Sequence, residues 1–143
     1  MFSQPANEVW GSNDLKQIDW SREGRYLLLE LRQADLGGEK TNNGPLVFDS
    51  FSNRIFHPDI LKLFQSHFHQ KCANDTVIDG FTYDDDIVLT ATPLEPDPIY
   101  ESQLLPACLA GRTKWAVNFR ENDLRQLPDD YIPLRYSQFG DSR

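Results

Sequence analysis

The amino-acid sequence predicts an α+β domain: about six strands, mostly antiparallel, with one principal helix packed on one face. Three observations predict it. Several short runs alternate apolar and polar residues with period two and are bounded by Gly, Pro, Asn or Asp. A single stretch, 57–72, carries the helical period instead. The 143 residues include nine Phe, five Tyr and three Trp, enough buriable area to hold one core without a staple. No internal repeat, low-complexity tract or linker is evident, so 1–143 reads as a single domain.

"LKQIDW" (15–20) and "RYLLLEL" (25–31) flank "SREG", whose Gly24 marks the turn of a β-hairpin. In the second run Leu27, Leu29 and Leu31 share one face, and Tyr26 and Leu28 the other. A strand apolar on both faces belongs in the middle of a sheet. "LGGEKTNNG" (36–44) reads as a polar loop and "PLVFDS" (45–50) as a short strand. In "HPDILKLFQSHFHQKC" (57–72), Pro58 suits the first helical position and Asp59 the first turn. Ile60, Leu61, Phe64 and Phe68 form its apolar stripe.

"TVIDGFTY" (76–83) and "IVLTATPL" (87–94) form a second hairpin around three aspartates. Such a short loop needs a left-handed residue, which Asp tolerates better than most. Prolines keep "EPDPIYE" (95–101) extended. "QLLPACLAG" (103–111) stays ambiguous, since Pro106 argues against a continuous helix. "KWAVNF" (114–119) alternates as a half-buried strand. "NDLRQLP" (122–128) allows one short helix capped by Asn122 and stopped before Pro128, and 129–136 is a turn with an extended piece.

Charge is distributed unevenly. The formal net charge is −8, and from Cys72 to Gly111 there is no Lys or Arg. That window holds Asp75, Asp79, Asp84, Asp85, Asp86, Glu95, Asp97 and Glu101, which account for the whole imbalance. A field of this sign repels nucleic-acid phosphates and anionic membranes, and speeds encounter with a basic protein. No run reaches the length of a membrane span, and "MFSQPANEVWGS" has neither the basic nor the apolar region of a secretion signal. The expected compartment is the cytoplasm, where Cys72 and Cys108 would be reduced, buried thiols.

Catalytic and metal-binding patterns are weak. His57, His67, His69 and Cys72 have the residue types of a zinc site, but His57 and His67 lie about 15 Å apart along a helix, and His67 and His69 point in different directions. Only His69 and Cys72 could share an ion, and a structural zinc site takes four ligands. Asp84–Asp86 could hold Mg²⁺ or Ca²⁺, but the EF-hand spacing is absent. No nucleophile elbow, P-loop or dinucleotide fingerprint occurs. No catalytic residue, metal ligand or cofactor is therefore assigned.

The residues expected to bind a partner are Asp84, Asp85, Asp86, Glu95, Asp97 and Glu101, with Tyr83 and Tyr100 supplying contact area. In size and charge, though in no motif, the chain is similar to bacterial toxin-immunity proteins. These are small, acidic, cytosolic domains, often α+β, that block a basic toxin by covering its active site. The resemblance implies a protein-binding domain whose carboxylates face the Lys and Arg side chains with which a nuclease toxin would hold nucleic-acid phosphate. Two alternatives stand beside it: a subunit of a larger assembly held by an apolar interface, and a metal-assisted hydrolase using Asp84–Asp86.

Overall fold

The computed structural model describes residues 13–33, 44–93 and 106–133. Eight strands and one helix follow in order. They are β1 (Asn13–Trp20), β2 (Tyr26–Gln33), β3 (Gly44–Asp49), β4 (Arg54–Phe56), α1 (Ile60–Phe68), β5 (Asn74–Phe81), β6 (Ile87–Pro93), β7 (Thr113–Asn118) and β8 (Asp123–Leu127). They build two four-stranded sheets, ordered β1-β2-β3-β4 and β5-β6-β7-β8, with every neighbouring pair antiparallel.

The architecture remains mostly antiparallel strand with one helix, but it corrects the expectation of one sheet of about six strands. Helix α1 occupies the connection between β4 and β5, so the second set of strands begins its own sheet. Two strands were not expected. Three-residue β4 is too short for periodicity to reveal. The segment 123–127, expected as a helix, is strand β8. Its Leu124 and Leu127, three apart, would share a helical face, whereas in the strand they point to opposite faces of the sheet. Pairing with β7 decides: Leu124 sits opposite Val117, and Leu127 opposite Lys114. Asn122 is left-handed, with φ 55°, and closes the β7–β8 hairpin instead of capping a helix. In α1 the cap is Asp59, whose side chain accepts from the Lys62 amide at 3.1 Å, and left-handed His69 ends the helix.

The two sheets are copies of one structural unit. Strand Asn13–Trp20 corresponds to Asn74–Phe81, an offset of 61 residues, and both are bulged at the same place: Gln17/Asp19 against Ile78/Gly80. Strands β2 and β6 correspond at an offset of 60, and β3–β4 and β7–β8 at 69, with every cross-strand register preserved. The turns match too. The Ser21 amide donates to the Tyr26 carbonyl as Thr82 does to Asp86, both at 2.8 Å. The Gly24 amide donates to the Ser21 carbonyl as Asp85 does to Thr82. Gly24 and Asp85 have φ of 75° and 67°, and Arg25 is the one extra residue in the first turn. In the second hairpins Asp49 accepts from the Phe51 amide, Asn118 accepts from the Arg120 amide, and Asn53 and Asn122 are both left-handed. The sequence therefore contains a repeat that its residue identities conceal.

The units pack head to tail. Tyr26, Leu28 and Val47, on one face of the first sheet, join Phe81, Ile87, Leu89, Trp115 and Val117 of the second in one core. The repeat makes Leu28 and Val47 the counterparts of Val88 and Ala116, which lie on the opposite face of the second sheet. Unlike faces therefore meet. Strands β1 and β5 run close to each other. Farther out, the Phe64 and Phe68 rings of α1 meet Trp115, with centroids 5.1 and 5.9 Å away.

Cys72 and Cys108 form a disulfide, with Cα atoms 4.9 Å apart, which corrects the expectation of reduced thiols. Contact through the fold, invisible in a spacing of 36 residues, brings them together. The Ala73 amide donates to the Pro106 carbonyl, and the Cys108 amide to the Ala73 carbonyl, forming a parallel bridge between Ala73 and Ala107. A disulfide is unusual in the reducing cytosol that the sequence led us to expect. Among the described residues no helix is long and apolar enough to cross a membrane.

Candidate functional site

Two surfaces qualify: the acidic turn between β5 and β6, and the face of the first sheet that points away from the second.

The turn spans 82–86. Its backbone is organised by the Thr82 hydroxyl, which accepts from the Asp84 amide at 3.2 Å and the Asp86 amide at 3.0 Å. Of the expected contact residues, Asp84 and Tyr83 are exposed, Tyr83 by 56%. Asp86 is withdrawn from the surface, at 5% exposure. Its two oxygens accept from Arg120 at 2.8 Å and Arg125 at 2.9 Å. It cannot face a partner as the sequence reading expected, because its charge is compensated within the chain. Arg120 also donates to the Asp85 carbonyl at 2.9 Å, and the Arg22 guanidinium lies 4.1 Å over the Tyr83 ring. Glu95, Asp97, Tyr100 and Glu101 lie outside the described residues. The window without basic residues is thus met in space by Arg22 and Arg120 from other turns and by Arg125 of β8. Sequence counting could not see this, because the pairs are 34 and 39 residues apart.

Asp85 is partly buried, and its Oδ1 has no hydrogen-bond partner. Burial raises its carboxyl above the ordinary value, against the lowering pull of Arg120 and Arg22. Its charged form therefore costs stability above the raised value, and that cost fades as pH falls through the carboxylate range. Since the matching position is Gly24, Asp85→Gly is expected to stabilise the protein by about 0.5–1 kcal/mol at pH 7 through relief of the left-handed backbone. The gain should shrink at pH 4. Urea unfolding at both pH values measures it, and a loss of stability at pH 7 would refute it.

The first unit solves the same corner differently. Arg25 donates to Asp49 through two bonds of 2.9 Å, and Asp49 also accepts from the Ser52 hydroxyl and the Phe51 amide. These donors, Arg25 foremost, hold the Asp49 carboxyl well below the usual carboxylate range.

The repeat also compares the outward faces of the two sheets. The second sheet is polar where the first is apolar. Asp79, Asp86, Lys114 and Arg125 replace Ile18, Tyr26, Pro45 and Phe56. Lys114 lies 3.8 Å from Asp79, which also accepts from the Thr90 hydroxyl, and Arg125 holds Asp86. Between these groups, Val88, Ala116 and Leu127 are buried, with Tyr131 packed against them. Apart from Val77, which is 61% exposed, the described apolar side chains of this face are covered.

Among the described residues, the first sheet's outward face is covered less completely. Alternation puts Leu15, Trp20, Leu27, Leu29, Leu31, Leu46, Phe48 and Ile55 on it. Leu46 is buried, Trp20, Leu27, Leu29, Leu31 and Phe48 are partly exposed, and Leu15 and Ile55 are 38% and 46% exposed. Their counterparts Ile87, Leu89, Ala91 and Val117 are at 0%, covered by the first sheet and α1. Periodicity marked Leu27, Leu29 and Leu31 as one face, but nothing in the sequence said which face would be left uncovered. Comparison with protein-family descriptions, with curated proteins and with solved structures returns no match.

Proposed function

We propose that this protein is a binding subunit that joins a larger protein assembly through the apolar outward face of its first sheet. One observation carries the reading: Ile87, Leu89, Ala91 and Val117 are fully covered in the second sheet, whereas their counterparts Leu27, Leu29, Leu31 and Phe48 are partly exposed in the first. Repeat arrays bury such faces against a neighbouring unit and end in units with a polar outer face. The ion-paired second sheet fits that terminal role. Contiguous exposed apolar surface of this kind supports a protein interface.

A photo-crosslinking residue at Leu29, on the less covered face, is expected to give protein adducts in cells. The same residue at exposed Val77, on the second sheet's outward face, should give few. Equal, low adduct yields at both positions would overturn the reading.

A second reading keeps an inhibitor of a basic, toxin-like protein, and the exposed pair Tyr83 and Asp84 at the hairpin tip supports it. Steering by that tip should weaken with salt, whereas an apolar interface should barely respond. The hydrolase alternative finds no support in Asp86, which is engaged by two arginines.

A further inference from the structure

We draw no further inference here: the strongest candidate, the surface patch at the hairpin tips where the Arg22 and Arg25 guanidiniums lie over the exposed rings of Tyr83 and Phe51, carries nothing, because each ring is already partnered within the chain and nothing among the described residues shows what would cover the patch.

Discussion

Replacing Cys108 with Ser is expected to destabilise the protein by about 2–4 kcal/mol, and dithiothreitol should lower the wild type by the same amount. The bond closes a loop of 36 residues, for which chain entropy alone gives roughly 4 kcal/mol, and strain or residual unfolded structure reduces that figure. Cys108 is the better position to change, because it is partly exposed, whereas Cys72 is buried and would leave a hydroxyl without water. In Cys108→Ser the remaining Cys72 thiol behaves as a small apolar group. The effect should be local as well as global. The bond fastens the 106–108 segment to the start of β5, so hydrogen exchange at the Ala73 and Cys108 amides should accelerate before the rest of the sheet responds. Thermal unfolding with and without reductant gives the measurement. Identical midpoints, or two titratable thiols in protein purified without reductant, would remove the bond from any account of stability.

How far the sequence spoke depended on range. Period-two alternation located β2, β3, β6 and β7, and the helical stripe located α1, because each of these segments expresses its environment within a few residues. The need for a left-handed residue in the aspartate run was also legible, and Asp85 supplies it. The repeat was not. Of the matched strand and turn positions only Asn13/Asn74, Asp14/Asp75, Leu29/Leu89 and Asn53/Asn122 are identical. What the two units share is register, bulge position and turn bonding, all of which tolerate wide substitution. Turn chemistry carried the trace, since Ser21 matches Thr82, Gly24 matches Asp85, and Asp49 matches Asn118. The compensation of Asp86 was hidden for a related reason: charges were counted along the chain, but Arg120 and Arg125 return to Asp86 through the β7–β8 hairpin. The less covered face was half legible, since period two identified its members but not which face lay uncovered.

The Asp86 clamp gives the second large expected effect. Asp86→Ala should cost about 2–3 kcal/mol, and Asp86→Asn about 1–2 kcal/mol. The carboxylate is nearly buried and accepts two charge-assisted bonds, while its amide donates to Thr82 and its carbonyl accepts from the Thr82 amide. Removing it therefore loosens the turn at the point where Asp84 and Tyr83 are presented. The cost stays below that of a fully buried pair, because the Arg120 and Arg125 side chains are 30% and 49% exposed and can recover solvation. Arg125→Ala should cost less than 1 kcal/mol for the same reason. In a double-mutant cycle, Asp86→Ala and Arg125→Ala should couple by about 0.5–1 kcal/mol, since the second loss is already included in the first. Arg120 should couple more strongly, because it is less exposed and also holds the Asp85 carbonyl. Urea unfolding of the single and double variants settles the order. Additive losses would mean that Asp86 acts through the turn backbone and not through its arginines, and the polar sealing of the second sheet would then rest on Asp79 and Lys114 instead.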